Sequence, residues 1–481
     1  MLFNSVEFII FFIVVTAGYF VIPHKFRWFW LLSASCYFYM FFKPVYILIL
    51  GFTIVIDYFA GIFIENAVGY KRKTFLIISL IANIGVLAIF KYYNFFIENI
   101  NSFAPSPFLP YLSILLPIGL SFHTFQAMSY TIEVYRGNQK AERHFGIYAL
   151  YVMFYPQLVA GPIERPQNVL YQFHIKHHFS YENVTNGLKL MAWGMFKKVV
   201  VGDHLAIMVD KVYNNPTQYE GLPLIIATVF FAFQIYCDFS GYSDIALGSA
   251  QVMGFKLMQN FDRPYFSKSI SEFWRRWHIS LSTWFRDYLY IPLGGSRVPY
   301  YRQLFNLFIV FMVSGLWHGA SWNFIIWGAL HGLLLVLARL RERFLPTLHL
   351  KANNLVAKII HILIVFILVD FCWVFFRART FADAKYIITH LFSNISLNSL
   401  KNVDFVRNNI LLGESKQLFL VTVLSLVLME IVHYFQRNLS IRSYLSTQNK
   451  WLRWGLYCLL ISWILLFGAF EKPAQFIYFQ F

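Results

Sequence analysis

Charged side chains are scarce in this chain, and their scarcity excludes most water-soluble architectures. Only 13% of the 481 residues are Asp, Glu, Lys or Arg, whereas 58% are hydrophobic and 20% are aromatic. This is too little polar material to cover the surface of one or two soluble globules. The composition therefore predicts a protein that resides in a lipid bilayer.

Cysteine is also rare, and the familiar catalytic and metal-binding motifs are missing. The four cysteines stand singly, with no CxxC or zinc-type spacing, so the sequence predicts neither a disulfide framework nor a metal site. No GxSxG, HExxH, Walker A or nucleotide-binding GxGxxG motif is found. A serine nucleophile at Ser240 or Ser243 is disfavoured, because that apolar run lacks the strand-to-helix elbow that such a nucleophile needs.

Apolar runs dominate what remains, and they recur from one end of the chain to the other. Many approach the length needed to cross about 30 Å of hydrocarbon, and the shorter ones are read as tilted, broken or re-entrant. We predict an all-α polytopic membrane protein with about ten to thirteen transmembrane or re-entrant helices. One membrane domain, 1–481, is expected to comprise N-terminal hairpins (1–137), a catalytic core (151–337), a polar extramembrane excursion (377–416) and C-terminal spans (417–481).

Basic residues outnumber acidic ones, 40 to 23, for a formal charge of +17. In a soluble protein this excess would suggest nucleic acid, but cytoplasmic loops of membrane proteins collect Lys and Arg and face anionic lipid. The early basic clusters, near Lys25, Lys71 and Lys140, all follow odd-numbered apolar runs. We therefore predict membrane lipids as partners, no nucleic acid, and an N-terminus on the outer side.

The stretch from Ser271 to Tyr290 combines an aromatic stripe at helical spacing with arginines on the other side. One interpretation is an interfacial helix whose Arg275 and Arg276 reach toward the lipid headgroups. His278 fits this interpretation poorly, because it lies on the apolar flank. A histidine there needs a hydrogen-bond partner or a function.

A second histidine lies in an interrupted apolar run. Gly315 and Gly319 flank His318 and permit a helix break or a close backbone approach within the membrane, while His331 follows in the next run. A buried histidine can be a packing residue. It can also be a base, since a neutral imidazole with a reference pKa near 6.5 accepts a hydroxyl proton near neutral pH. The residues alone leave both interpretations open.

Long blocks of the sequence resemble the membrane-bound O-acyltransferase family. The resemblance is strongest to its bacterial branch of alginate and peptidoglycan O-acetyltransferases, with the D-alanyl transfer protein of teichoic acids more distant. It covers nearly the whole chain and implies a ring of helices around a central tunnel. The blocks read MLFNSVEFIIFF, PIGLSFHTFQAMSY, FYPQLVAGPIERP, CDFSGYSDIA, FWRRWHISLSTWFRDYLYIPLGGSR, GLWHGASWNFIIWGALHG and WVFFRART.

The resemblance also implies roles for particular residues. His318, in the WHG block, matches the essential histidine of the family, and His278, in RRWHISLS, matches the second family histidine. Acetyl-CoA is the expected donor substrate, with no bound cofactor, and Arg275, Arg276 or the Lys197–Lys198 pair are expected to meet its phosphates. The further donor- or substrate-binding candidates are Trp317, Asn323, His331, Asp238, Ser240 and Asp244.

The expected function is O-acetylation of a secreted or cell-wall polysaccharide by an enzyme of the bacterial inner membrane. The expected partner is a periplasmic or extracellular SGNH-type acetyltransferase or a polymer-synthesis complex. Three alternatives remain: D-alanyl or other acyl transfer to a teichoic acid-type polymer, a membrane transporter, and a non-catalytic scaffold for a periplasmic transferase. The transporter is disfavoured because the sequence has no inverted repeat.

Overall fold

A computed structural model describes residues 1–103, 106–113, 116–159, 161–345, 354–395, 401–470 and 475–477. Across these residues the chain is helical, with no β-strand. The α-helices are α1 (Val6–Val21), α2 (His24–Met40), α3 (Tyr46–Asn66), α4 (Tyr70–Leu87), α5 (Tyr93–Asn101), α6 (Leu120–Arg136), α7 (Phe145–Met153), α8 (Tyr155–Leu158), α9 (Pro166–Val169), α10 (Tyr181–Met195), α11 (Asp203–Tyr213), α12 (Leu222–Val252), α13 (Ile270–Arg276), α14 (Ile279–Phe285), α15 (Tyr300–His318), α16 (Trp322–Phe344), α17 (Leu355–Arg377), α18 (Phe381–His390), α19 (Val403–Phe405), α20 (Lys416–Phe435), α21 (Ile441–Thr447) and α22 (Lys450–Phe467).

Among the described residues, seven helical segments are long and apolar enough to cross a membrane, and α1 is a shorter apolar helix. The prediction of an all-α, multi-pass membrane protein is confirmed. Some predicted runs are interrupted: the run over 187–208 divides into α10, a π-helical segment at Phe196–Gly202, and α11. The predicted ten to thirteen helices included such broken elements, and that number stays a prediction.

Contacts between residues divide the chain into two compact units. Unit 1 comprises Met1–Met191 and Tyr242–Gln259, and unit 2 comprises Ala192–Gly241 and Asn260–Phe481. In unit 1, helices α3, α4 and α6 pack against one another. In unit 2, α15 and α16 form a closely packed hairpin, and α17 packs against α16.

The hairpin of α15 and α16 is tight because small residues lie where the two backbones meet. A Cβ atom added to Gly315 would lie 2.2 Å from the carbonyl oxygen of Phe324, and one added to Gly328 would lie 2.3 Å from that of Phe311. Neither position accommodates a side chain, so glycine is required for this approach. The result is that the end of α15 lies against the first turns of α16.

Candidate active site

His318 lies at the point where α15 stops. The helix ends at His318, and Gly319 continues in an extended conformation with φ −161°. The predicted break beside this histidine is therefore confirmed. A Cβ on Gly319 would lie 2.1 Å from the ring of Phe324, so close packing as well as the break excludes a side chain here. His318 itself is 3% exposed.

Aromatic rings surround the His318 imidazole. Its ring centroid lies 4.9 Å from that of Trp327 on α16 and 5.4 Å from that of Phe376 on α17, both edge-on, and 5.0 Å from that of Trp317. Trp327, Phe376 and Trp373 also pack on one another, with centroids 5.2 to 5.7 Å apart. We call these last three residues the ring triad. The triad encloses one side of the imidazole in apolar, low-dielectric surroundings.

His278 lies in a second helix break. The aromatic stripe over 271–290 indicated one continuous helix here. Helix α13 ends at Arg276, α14 begins at Ile279, and His278 between them adopts a left-handed conformation with φ +44°. This break turns the stripe inward, so Trp274, Trp277 and Trp284 are buried in unit 2. The interpretation as a single interfacial helix is therefore wrong, because the chain must turn at His278 to pack these large rings.

His278 and His318, the two histidines that the family resemblance singles out, lie close together in unit 2. His278 is fully buried, and its ring centroid lies 6.4 Å from that of His318, with the planes at 62°. Its Nδ1 lies 3.1 Å from Oδ1 of Asn260, which supplies the partner that the sequence required. Burial lowers the pKa of His278 to about 3, so its imidazole is neutral near pH 7.

Asn260 was not identified from the sequence. It lies in the segment MQNFDRPY, before the RRWHISLS block. The only signal in the sequence is that Asn260 is a polar residue between two apolar runs. In the structure it is 1% exposed and lies against the break that carries His278. Its position depends on the fold of the loop over 253–269, which no local pattern specifies.

His331 lies on α16, one turn beyond Trp327. Its centroid is 5.0 Å from that of Trp327 and 4.9 Å from that of Trp274, so Trp327 contacts both His318 and His331. Within the part of the chain that the structure describes, neither ring nitrogen of His331 has a hydrogen-bond partner. A buried polar group without a partner is costly, so this imidazole is suited to a ligand or to water.

The residues predicted to bind the donor lie near the two helix breaks, and they differ in whether their side chains are already engaged by other residues. Arg275 is exposed, whereas Arg276 is half-buried and donates to Glu272 at 2.6 Å. Asn323 donates to the backbone oxygen of Ala378 at 2.9 Å, which ties the start of α16 to the end of α17. Trp317 is buried, with its centroid 6.2 Å from that of His278. Arg275 and Trp317 are thus the better placed for a ligand.

The polar residues of α12 serve a different network. Lys198 lies 2.6 Å from Asp238 and 2.7 Å from Asp203, all three almost fully buried. Lys197 donates to Ser240 at 2.9 Å. Asp238, a candidate for donor or substrate binding, is therefore engaged by a lysine and by the backbone N–H of Ile477. Asp244 falls in unit 1.

This arrangement suits proton transfer to and from a small polar group. The ring centroids of His278 and His318 are 6.4 Å apart, so a small polar group between the two imidazoles would lie within hydrogen-bond reach of both. The aromatic rings packed around His318 lower the local dielectric, which strengthens electrostatic interactions. The buried lysines are already paired, so they are poorly placed to meet a phosphate.

Comparison with known proteins identifies the family. The model of MBOAT, the membrane-bound O-acyltransferase family, matches residues 143–377, which include His278, His318 and His331. The chain is 35% identical to a peptidoglycan O-acetyltransferase of Helicobacter pylori, over 100% of this chain and 98% of that protein. It is 38% identical to a probable alginate O-acetylase AlgI of Pseudomonas aeruginosa, over 82% of this chain and 75% of that protein.

A more distant relative is the teichoic acid D-alanyltransferase of Bacillus subtilis, 27% identical over 58% of this chain and 72% of that protein. The similarities agree with the resemblance carried by the sequence blocks, and they extend along the full length of the chain. The chain therefore belongs to the membrane-bound O-acyltransferase family and is an integral membrane O-acyltransferase.

Proposed function

We propose that this enzyme transfers an acetyl group from cytoplasmic acetyl-CoA toward a secreted or cell-wall polysaccharide, with His318 as the general base. The observation that supports this most directly is the placement of His318. Its imidazole is buried at a helix break, contacts the ring triad, and lies 6.4 Å from His278. A base in a dry site, reachable from a break in the helix, is what acyl transfer to a hydroxyl requires.

The proposed reaction has a simple balance. His318 takes the proton of the acceptor hydroxyl as its oxygen attacks the thioester carbonyl carbon. The carbon–sulfur bond then breaks, and the departing CoA thiolate receives the proton back. No proton is consumed overall, so His318 ends in the neutral form in which it began.

The donor is proposed to enter with its phosphates at Arg275 and its acyl end at His318. Arg275 is the exposed member of the arginine pair, and an exposed guanidinium is suited to phosphate. His331 offers two buried ring nitrogens that a polar group of the donor arm, such as an amide, can satisfy. Trp317 supplies an apolar wall beside both family histidines.

The ring triad supports a short acyl group. Trp327, Trp373 and Phe376 are all at most 1% exposed and pack on one another, and Trp327 and Phe376 also contact His318. Protein interiors are packed at crystal-like density, so each added methylene would have to displace ring atoms. This favours acetyl over longer acyl groups.

The acceptor is proposed from the relatives, whose names refer to peptidoglycan and alginate. Such polymers lie outside the cytoplasmic membrane, so we place the enzyme in the inner membrane. The basic clusters near Lys25, Lys71 and Lys140, each after an odd-numbered apolar run, favour an N-terminus on the outer side. A periplasmic or extracellular acetyltransferase of the SGNH type is the proposed partner in delivering the acetyl group. The relative that transfers D-alanine makes a teichoic acid-type acceptor the second candidate.

The test uses the full-length chain in lipid nanodiscs with acetyl-labelled acetyl-CoA and an oligosaccharide of alginate or peptidoglycan as the hydroxyl acceptor. Polymer-bound acetate is measured in cells in parallel. His318→Ala is expected to reduce acetyl transfer by about 10²- to 10⁴-fold, the range that general base catalysis supplies. His361→Ala, which changes a half-buried histidine near the start of α17, is the control and should retain transfer. Normal transfer by folded His318→Ala protein would refute the role of His318.

The same assay separates the other hypotheses. A non-catalytic scaffold, assayed without its partner transferase, would release no CoA from acetyl-CoA. A transporter would move a solute without acyl chemistry. D-alanyl transfer would appear as activity with a D-alanyl thioester donor and none with acetyl-CoA.

A further inference from the structure

Asn260 connects two features of the break between α13 and α14. Its side-chain oxygen accepts from the backbone N–H of Ser280 at 3.3 Å and from the Ser280 hydroxyl at 2.9 Å. Its backbone oxygen accepts from the N–H of Ile279 at 2.9 Å. Asn260 thus satisfies the first N–H groups of α14, which have no partner within the helix. The same side-chain oxygen lies 3.1 Å from Nδ1 of His278.

The Ser280 contact decides which atom of the amide faces His278. The oxygen and nitrogen of an Asn side chain are nearly indistinguishable by shape, and the assignment rests on the hydrogen-bond network. A backbone N–H can only donate, so the atom 3.3 Å from the Ser280 nitrogen is oxygen. A carbonyl oxygen can only accept, so Nδ1 of His278 carries the hydrogen.

The protonation state of His278 gives this contact a chemical consequence. A neutral imidazole carries one hydrogen, and burial keeps His278 neutral by lowering its pKa. With the hydrogen on Nδ1, the lone pair is on Nε2. In the other neutral form, with the hydrogen on Nε2, the lone pair of Nδ1 would face the Asn260 oxygen at 3.1 Å, and two acceptors repel each other. Asn260 therefore favours the Nδ1–H form.

The backbone at His278 makes the orientation of the ring depend on its surroundings. A φ of +44° is unusual for a residue with a side chain, and such conformations persist where neighbouring structure imposes them. The cap that Asn260 provides to α14 holds this backbone, and the ring of Phe239 packs edge-on at 4.7 Å. Asn260 therefore contacts both the backbone after His278 and the His278 ring.

We propose that Asn260 is a positioning residue that acts through His278: its oxygen holds the imidazole in the Nδ1–H form and leaves Nε2 as the hydrogen-bond acceptor in the acyl-transfer site. This inference rests on the proposed function. The inference goes beyond the proposed function because it assigns a role to Asn260, which lies outside the sequence blocks that contain His278 and His318. The role predicts an effect on the chemical step and none on donor binding.

The test compares three variants of the full-length chain in nanodiscs, by CoA release from acetyl-CoA in the presence of a hydroxyl acceptor, an oligosaccharide of alginate or peptidoglycan. Asn260→Leu removes the acceptor while roughly keeping the side-chain volume, and it should lower kcat on the order of 10- to 100-fold with KM for acetyl-CoA unchanged. Asn260→Asp keeps an oxygen at the same position and should restore kcat to within about tenfold of wild type. Ser280→Ala removes a donor to that oxygen without touching the His278 contact, and it should retain kcat within about threefold of wild type.

The split between kcat and KM separates positioning from a general loss of fold, since Ser280→Ala leaves the backbone N–H of Ser280 on the Asn260 oxygen and does not remove the cap. If Asn260→Leu and Ser280→Ala lose kcat equally, or if Asn260→Asp fails to restore it, Asn260 acts only on the fold and the inference is overturned. A rise in KM at constant kcat in Asn260→Leu would overturn it as well. Absence of CoA release by the wild-type chain would refute the proposed function instead, so the two failures are distinguishable.

Discussion

Each compact unit buries polar side chains among apolar helices, but the two groups are built differently. In unit 1, the Asp57 carboxylate accepts from the Ser79 hydroxyl at 2.6 Å, and the Asn83 amide lies 2.9 Å from both of its oxygens. In unit 2, His331 has no hydrogen-bond partner among the described residues, and rings surround it. We call the first group closed because both oxygens of the Asp57 carboxylate have partners, whereas His331 has capacity left for a ligand.

This difference refines a general expectation about membrane proteins. An ionisable group inside a membrane is costly and is treated as functional by default. Asp57 shows that such a group can be accounted for by packing between α3 and α4. His123 of unit 1 is also buried with both ring nitrogens unpartnered among the described residues, but it lies within the continuous helix α6. In unit 2, unused hydrogen-bonding capacity coincides with two helix breaks and a left-handed backbone. The partners of a buried group together with the backbone around it, more than its burial, thus distinguish a site from a structural contact.

The largest effect on stability is expected from a closed network in unit 2. Lys198→Met removes the cation between Asp203 and Asp238 and leaves two buried carboxylates unneutralised. Breaking a buried ion pair costs about 3 to 5 kcal/mol, so the free energy of unfolding should fall by that order. Chemical denaturation in detergent measures it. Lys268→Met, at an exposed lysine, should change it by less than about 0.5 kcal/mol, and equal losses would contradict the closed network.

The next effect concerns acyl-chain length, which tests how tightly the histidine site is packed. One methylene in an apolar pocket changes specificity by roughly 10- to 200-fold, so the wild type should prefer acetyl-CoA over propionyl-CoA by that order. Phe376→Ala removes a ring that contacts His318, and it should bring the ratio of kcat/KM values toward unity. Phe371→Ala, on the outward side of α17, should leave the ratio unchanged. An unchanged ratio in Phe376→Ala would show that the triad does not limit the acyl group.

A smaller effect is expected from the closed group of unit 1. Asp57→Leu leaves the Ser79 hydroxyl and the Asn83 amide without their acceptor, which should lower the free energy of unfolding by about 1 to 3 kcal/mol. Acetyl transfer per folded molecule should remain within about threefold of wild type. Asp57→Asn keeps an acceptor oxygen and should lose less stability. Loss of transfer at unchanged stability would give Asp57 a function and remove the contrast between the two groups.

The smallest effect is expected at the entrance proposed for the donor. Arg275→Ala should raise KM for acetyl-CoA by about two- to fivefold with kcat unchanged, because an exposed ion pair contributes roughly 0.2 to 1 kcal/mol. The difference should shrink at high salt, which screens exposed charges. Arg276→Ala should change KM less, since Arg276 already pairs with Glu272. Equal effects of the two substitutions would argue against a specific phosphate contact at Arg275.

Much of the architecture followed from local features of the sequence. Low charge and recurring apolar runs indicated a helical membrane protein, because spanning segments must satisfy their own backbone hydrogen bonds. Gly315 and Gly319 indicated the break at His318, because glycine tolerates conformations and contacts that other residues do not. The long blocks indicated the family. The position of His278 on an apolar flank indicated the need for a partner.

What the sequence determined by itself was therefore the membrane environment, the helical class and the family, and it singled out His318 and His278 as candidates. Only the tertiary structure decided that the aromatic stripe breaks at His278, that Asn260 holds this ring, and that Phe376 lies against His318. The reason is physical. Periodicity and glycine placement act within a few residues, whereas these contacts join segments far apart in the chain, and packing alone selects which distant side chains meet.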